Sequence, residues 1–156
     1  MQNLLRPAER SVLVAGYAGN QLFEELGRRM DEFPTLHVRV FLNVARKSGE
    51  TGSDAEVIAS FLHRFRLYNW PAQCRLPELY YDCRALAATA DCPIALHAKC
   101  IVVDERETFI SSANFTEAAQ HRNVEVGVLI RSSAIGGQAA EFFSTLVREG
   151  LCVRAG

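Results

Sequence analysis

A histidine and a lysine stand two positions apart, His97 and Lys99, in the mostly apolar segment 96–104. Side chains at positions i and i+2 of a β-strand project from the same face, so these two are expected to emerge together. They form a poor structural pair, because two positive groups repel each other. They suit a shared anion better, with Lys99 holding an oxygen and His97 placed for chemistry on the central atom.

Polar residues that can hold the same anion follow this segment. Ser111, Ser112 and Asn114 are small hydrogen-bonding residues just after a predicted strand, where a phosphate oxygen can be held. Farther along, Asn123 and Glu125 begin the next predicted strand with both side chains on one face. A carboxylate there can accept a hydrogen bond from an imidazole N–H and fix its tautomer. These residue types favour attack on a phosphodiester, which needs charge neutralisation, a nucleophile and a proton donor.

Asp104 lies at odd spacing from both His97 and Lys99, so it is not expected on their face of the strand. Two roles stay open for this residue. It is either a carboxylate that initiates a turn or a member of the reactive motif that tunes the acidity of neighbouring groups.

The spacing of these residues resembles the H-x-K-x4-D-x6-G-S-x-N signature of the phospholipase D superfamily. The matching positions are His97, Lys99, Asp104, Ser112 and Asn114. Asn123 and Glu125 are similar to the element that follows the signature in that family. Ser111 departs from the signature, which has Gly at a position where a positive φ would strain other residues. The resemblance implies an α/β/α sandwich around a mixed sheet, as one domain over residues 1–156.

The resemblance also implies a mechanism without metal or cofactor. One motif histidine attacks phosphorus to form a phosphohistidine, and a second histidine protonates the leaving oxygen. Carried over, His97 is the nucleophile, Glu125 orients it, and Ser112 assists the residues that hold phosphate. The implied catalytic set is His97, Lys99, Asp104 and Glu125, and the implied substrate-binding set is Lys99, Ser112, Asn114 and Asn123.

The chain carries one copy of the motif, whereas the mechanism needs two histidines. The other histidines, His37, His63 and His121, stand in unrelated contexts, and no second Ser-x-Asn follows His37 at the required distance. The implied solution is a homodimer in which two motifs face each other across a two-fold axis.

Two groups within the superfamily are the most similar. Residues 112–119 resemble the small bacterial endonucleases, and residues 76–82 and 96–130 resemble the phospholipase D-like component of DISARM antiphage systems. The implied function is a cytoplasmic nuclease that cleaves DNA, with single-stranded DNA as the expected substrate. Other defence proteins are its implied partners. Because the DISARM group carries additional N-terminal sequence, this chain is either a short relative or a piece of a longer protein. Two alternatives stay open: a catalytically degenerate subunit that binds DNA or protein, and a phospholipid phosphodiesterase.

Composition narrows the function classes. The 156 residues are 49% hydrophobic with a net charge of −1, which excludes a globally basic, histone-like binder. No apolar run approaches the roughly 18–20 residues of a membrane span, and the start lacks the pattern of a secretory signal. The five cysteines are odd in number and contain no C-x-x-C pair, which disfavours zinc ribbons and disulfide frameworks and fits a reducing compartment.

Alternating strands and helices are expected to position these residues. The predicted strands are 11–17, 36–43, 76–82, 94–104, 108–111, 123–131 and 151–154. The predicted helices are 21–33, 53–68, a short turn at 116–120, and 138–149. Asn20 is the expected N-cap of the first helix, and Ser53 with Glu56 forms a capping box for the second. This order predicts an α/β sandwich with one mixed sheet.

Further residues suggest contacts with nucleic acid, although a structural role is the expectation for each. Trp70 and the pair Tyr80–Tyr81 can stack on bases, but packing in the core or an interface is favoured. Arg46, Lys47 and Arg122 can follow a phosphate backbone, but scattered surface arginines are the default in an Arg-rich chain.

Overall fold

The helices and strands come from a computed structural model, which describes residues 2–46, 49–87, 94–116 and 122–156. The strands are β1 Ser11–Ala15, β2 His37–Leu42, β3 Glu78–Asp82, β4 Cys100–Val103, β5 Glu107–Ser111, β6 Gly127–Arg131 and β7 Cys152–Arg154. The helices are α1 Gln2–Leu5, α2 Asn20–Glu32, α3 Asp54–Tyr68 and α4 Ser133–Arg148, with a 3₁₀ turn at Cys83–Leu86. None of the helices in the described ranges is long and apolar enough to cross a membrane.

One mixed sheet contains all seven strands in the order β6-β5-β4-β1-β2-β3-β7. β1, β2 and β3 run parallel, whereas the pairs β1–β4, β4–β5, β5–β6 and β3–β7 are antiparallel. The carboxyl ends of β1, β2, β3 and β5 therefore meet the amino ends of β4, β6 and β7 at one edge of the sheet. We call this the upper edge and the opposite one the lower edge.

Apolar residues cover both faces of the sheet, which makes the three-layer α/β/α sandwich expected from the sequence. On one face, strand residues such as Val14 and Ile101 pack with Phe23 of α2 and Phe65 of α3. On the other face, Leu13, Ala15, Phe41 and Val102 pack against Phe143 of α4. Burying each large apolar side chain contributes about 1.5–3 kcal/mol, so the two clusters hold the layers together.

The starts of α2 and α3 differ in how they are capped. The predicted capping box is present: Ser53 Oγ accepts from Glu56 N at 3.3 Å, and a Glu56 oxygen accepts from Ser53 N at 2.7 Å. The prediction that Asn20 caps α2 is wrong, because Asn20 is the first helical residue and Gly19 is the N-cap. Gly19 makes no side-chain cap, and its N–H donates to Phe115 O at 2.8 Å. A long-range contact thus replaces the local one.

Helix α4 begins five positions before the predicted residue 138. Ser132 caps it through a hydrogen bond from Ile135 N at 3.4 Å. Gly136 disfavours a helix by propensity, yet it lies in the first turn because a Cβ there would come within 2.4 Å of Glu105 O. The glycine lets α4 lie directly on the turn between β4 and β5. Tertiary packing therefore overrides propensity at this point.

The strands at the upper edge are shorter than predicted. β4 begins at Cys100 rather than at 94, and β6 begins at Gly127 rather than at 123. The residues before each strand, including the expected site residues, have left the ladder and lie in loops. The predicted turn at 116–120 falls mostly outside the described residues, as do Lys47, Cys92 and His121.

Candidate active site at the upper edge of the sheet

His97 and Lys99 lie together just before β4, as their spacing predicts. The Lys99 ammonium is 3.1 Å from His97 Nε2 and 3.2 Å from His97 Nδ1, and it donates to the His97 carbonyl at 3.0 Å. The imidazole is exposed, whereas Lys99 is half-buried. The two cationic-type side chains are therefore close enough to contact one small anion together.

A close approach of two backbones holds this pair in place. Gly16 follows β1 with a φ of 133°, and a Cβ there would lie 2.5 Å from Ala98 O. Only glycine satisfies both the positive φ and the close contact. On the other side, Ser111 N donates to Lys99 O at 3.1 Å. The His97–Lys99 segment is therefore fixed between the ends of β1 and β5.

A second polar cluster joins Ser112, Asn123 and Glu125. Glu125 Oε2 accepts from Ser112 Oγ at 2.5 Å, and Glu125 Oε1 accepts from Asn123 Nδ2 at 3.0 Å. These two hydrogen bonds, with a smaller contribution from the Lys99 charge, lower the pKa of the Glu125 carboxyl. The hydrogen bonds from Ser112 and Asn123 therefore account for most of the stabilisation of the Glu125 carboxylate.

The predicted orientation of His97 by Glu125 remains a prediction. Among the described residues, the Glu125 carboxylate is hydrogen-bonded to Ser112 and Asn123 rather than to the imidazole.

Ser111, the departure from the family signature, fits without backbone strain. Within the described ranges only Asp104 and Glu105 combine a side chain larger than hydrogen with a positive φ. Ser111 is the last residue of β5, and its hydroxyl accepts from Ala113 N at 3.0 Å. Ser112 is tied to the amino end of β6, because its N donates to Val126 O at 2.9 Å.

Asn114 is exposed on the same edge and is positioned through its neighbour Phe115. Phe115 is buried, its N donates to Tyr17 O at 2.9 Å, and its O accepts from Gly19 N at 2.8 Å. These two bonds attach the Asn114 segment to the loop after β1. The same loop therefore supports both Asn114 and the segment of His97.

Asp104 lies at the lower edge, beyond the other end of β4. Its carboxylate accepts from the backbone N–H groups of Glu9 at 3.1 Å, Arg10 at 2.8 Å and Ser11 at 2.8 Å. Asp104 and Glu105 have φ values of 51° and 55°, typical of a tight turn, and Arg106 N donates to Val103 O across it at 2.9 Å. Of the two roles left open, this placement favours the structural one: Asp104 attaches the start of β1 to the end of β4.

The aromatic residues suggested for base stacking belong to the core. Trp70 and Tyr81 are buried, and Tyr80 stacks on Phe41 with ring centroids 4.9 Å apart. An aromatic residue that the sequence did not single out, Tyr17, lies at the upper edge with 66% of its surface exposed. The signal for it was its position as the last residue of the predicted strand 11–17, two residues beyond the end of β1.

The described basic residues suggested for a phosphate-binding rim differ in their surroundings: one is bonded within the protein and the other is exposed. Arg46 is engaged within the protein, where it donates to the Leu86 carbonyl at 3.1 Å and pairs with Asp54. Arg122 is exposed and adjoins Asn123 in the sequence. Buried thiols are unsuited to catalysis, since burial raises the pKa of Cys100 to about 11.

The three-layer fold and the histidine–lysine pair at its upper edge define a phospholipase D-like α/β domain. The family model described as "Cardiolipin synthase, PLD-like domain" matches residues 3–147. The chain therefore belongs to this family of phospholipase D-like domains, as its motif predicted.

Curated and solved relatives are consistent with this membership. The chain is 26% identical over 137 residues to the DISARM protein DrmC of Bacillus paralicheniformis, which covers 86% of this chain and 50% of that protein. It thus spans about half the length of this relative. NucT from Helicobacter pylori superposes with a TM-score of 0.63 at 13% identity, over 98% of this chain and 87% of that one. Nuc from Salmonella typhimurium, a phospholipase D family member, superposes with a TM-score of 0.60 at 16% identity, over 98% and 86%. At these identities the two structures support the fold.

Proposed function

We propose that the protein is a phosphodiesterase that cleaves DNA, with a preference for single-stranded DNA, through a phosphohistidine at His97. The observation that carries the proposal is the contact of the Lys99 ammonium with both ring nitrogens of an exposed His97. An imidazole and a cation at this distance can act on the same phosphate, one on phosphorus and one on oxygen. The side-chain amides of Asn114 and Asn123 offer further donors on the same edge of the sheet, whereas the Ser112 hydroxyl donates to Glu125.

The reaction proceeds in two displacements at phosphorus. This chain supplies the nucleophile of the first displacement and a cation for the phosphate. A lone pair of His97 attacks phosphorus, a nitrogen–phosphorus bond forms, and the bond to the leaving sugar oxygen breaks. Lys99 neutralises the charge on the phosphoryl oxygens. An acid gives its proton to the leaving oxygen. Water then attacks phosphorus and returns a proton to the same group, an oxygen–phosphorus bond forms, and the nitrogen–phosphorus bond breaks to release His97. No metal ion or cofactor takes part in this scheme.

The proton donor in this scheme is His97 of a second copy, which makes the active unit a homodimer. An apolar surface adjoins the site and fits this arrangement. We call it the valine face: it comprises Val126 and Val128 at the amino end of β6, with Ile110 opposite Val128 on β5. Val126 is 77% exposed and Val128 51% exposed, and contiguous apolar patches of this kind mark interfaces.

The dimer is tested by placing a charge on the valine face. Val128→Asp is expected to convert a dimer into a monomer in light scattering and to abolish cleavage, although it alters no residue that contacts phosphate. Leu67→Asp is the matched control, because Leu67 is 59% exposed on α3. A fully active monomer would overturn the dimer while leaving the phosphohistidine untouched.

The nuclease itself is tested with labelled single- and double-stranded DNA and RNA in excess EDTA. We expect cleavage by the wild type that is lost in His97→Ala and kept in His63→Ala, which changes an exposed histidine on α3. A denatured sample quenched during turnover should carry label on His97. Equal cleavage by the wild type and His97→Ala would refute the proposal.

Two alternatives have their own support and their own outcomes. Similarity to a DISARM protein favours a role in antiphage defence beside other proteins, including that of a DNA-binding subunit without turnover. DNA retention in a gel shift without cleavage would favour that subunit. The name of the matching family model points instead to a lipid phosphodiester, and release of headgroup from anionic phospholipid vesicles would favour it.

A further inference from the structure

A cleft beside the candidate active site takes no part in the phosphodiester chemistry. It has a volume of about 80 Å³ and lies where β1 and β2 end beneath α2 and α3. Its walls are the rings of Phe23, Phe61 and Phe65, and its mouth carries Tyr17 and Asn43. Drug-sized ligands occupy about 300–1,000 Å³, so this cleft admits a flat ring rather than a whole nucleotide.

The mouth of the cleft combines an aromatic face with an amide. Tyr17 keeps 66% of its surface exposed, and its hydroxyl makes no hydrogen bond with the residues that the structure describes. Asn43 Oδ1 accepts from Leu96 N at 3.1 Å. In the described part of the chain, the Asn43 Nδ2 donor has no partner and is available to an acceptor on a ring that enters the cleft.

The cleft and the site share the same supports. Asn43 holds the residue that precedes His97, and Tyr17 O holds Phe115, the residue that follows Asn114. Gly16, next to Tyr17, contacts the carbonyl of Ala98 between the two motif residues. A ring seated in the cleft therefore lies beside the position that a phosphate would take at His97, as the base of a nucleotide lies beside its phosphate.

We propose that this cleft binds a nucleobase of single-stranded nucleic acid, with Tyr17 stacking on it and Asn43 Nδ2 donating to its edge. The inference rests on the proposed nuclease function and specifies its substrate. Every base has a π-face, so stacking on an aromatic side chain accepts many sequences but requires a base that is free of its duplex partner. Single-stranded substrates are therefore preferred.

The test measures binding in the His97→Ala background, where turnover does not interfere. The probes are a fluorescent oligothymidylate and the same strand with abasic sites, compared by anisotropy. We expect Tyr17→Ala to weaken binding of the oligothymidylate roughly 5- to 150-fold and to leave binding of the abasic strand unchanged. Tyr17→Phe retains the ring and should restore most of the affinity.

The control is Tyr68→Ala, because Tyr68 is 68% exposed on α3 but does not line the cleft. An equal loss on both strands, or no loss on either, would overturn the base-binding cleft. That result would not bear on the cleavage assay. If His97-dependent cleavage failed instead, the difference in binding between the oligothymidylate and the abasic strand could still be measured. The two proposals can therefore fail separately.

Discussion

Asp104 offers the sharpest test of how the motif is divided between chemistry and structure. Its carboxylate accepts three backbone N–H groups, and one of them, Ser11 N, is half-buried at 2.8 Å. A hydrogen bond to a charged group contributes about 1.5–3 kcal/mol, and the two exposed bonds add about 0.5 kcal/mol each after solvent screening. Asp104→Gly is therefore expected to lower the free energy of unfolding by about 3 kcal/mol, because glycine accepts the φ of 51°.

Alanine at the same position should cost more, since it adds about 1 kcal/mol of left-handed strain. For a domain of this size, 1 kcal/mol shifts the Tm by about 2–4 °C, so we expect Asp104→Gly to melt about 6–12 °C below the wild type. Glu105→Ala is the matched control: it has a φ of 55°, and its carboxylate makes no hydrogen bond with the described residues. That variant keeps a side chain at a positive φ and removes no hydrogen-bonded acceptor, so its Tm should stay close to that of the wild type.

The assay combines thermal unfolding with single-turnover cleavage well below the lowered Tm. A structural Asp104 predicts a large fall in Tm with a cleavage rate within about threefold of the wild type. An unchanged Tm with cleavage reduced by several orders of magnitude would refute the reasoning and return Asp104 to the reactive set.

Three further outcomes follow from the site and the core. Gly16→Ala forces a Cβ to within 2.5 Å of Ala98 O, so kcat/KM should fall about 100-fold with a lower Tm, whereas Gly137→Ala, whose Cβ meets no neighbour, should leave kcat/KM unchanged and raise the Tm slightly because alanine favours a helix over glycine. The Ser112 hydroxyl is the first of the groups that lower the pKa of the Glu125 carboxyl, so Ser112→Ala should raise that pKa toward its ordinary value in a carboxyl-carbon NMR titration, and an unmoved pKa would contradict the coupling. Burial raises the pKa of the Cys100 thiol to about 11, so the thiol should resist alkylation at pH 8 until the protein unfolds, and stability should decline above about pH 9, where the unfolded thiol ionises first.

The sequence predicted the neighbours along the chain better than it predicted the contacts between distant segments. His97 and Lys99 were expected on one face, and they do lie together, although the ladder of β4 begins one residue later. Extended backbone keeps the two-residue alternation outside a strand, so the argument survived the error in the boundary. Ser53 with Glu56 also held, because a capping box is a local device.

Contacts between residues on different strands could not be predicted from the pattern of residues along the chain. Tyr17 and Asn43 are 26 positions apart and meet only because β1 and β2 are parallel and end at the same edge. The same reason explains Gly19 as the N-cap of α2 and Gly136 inside α4. Each glycine lies in close contact with the backbone of a distant part of the chain. Periodicity within one segment carries no information about which backbone will approach it.

The spacing between Lys99 and Asp104 acquires a physical meaning from β4. This strand is four residues long and pairs with β1 from Cys100 opposite Ala15 to Val103 opposite Val12. At about 3.3 Å per residue, the extended chain from Lys99 to Asp104 covers roughly 16 Å, which takes it from the upper edge of the sheet to the lower. Asp104 binds the start of β1 there, so it stabilises the lower end of the β1–β4 pair, whose upper end places Lys99 beside Gly16. One inserted residue would turn the side chains of β4 to the opposite faces of the sheet. Asp104 and Lys99 could then no longer both hold their present positions relative to β1. A carboxylate at the edge opposite the His97–Lys99 pair can therefore accompany that pair in the motif because it stabilises the strand pairing that carries the lysine.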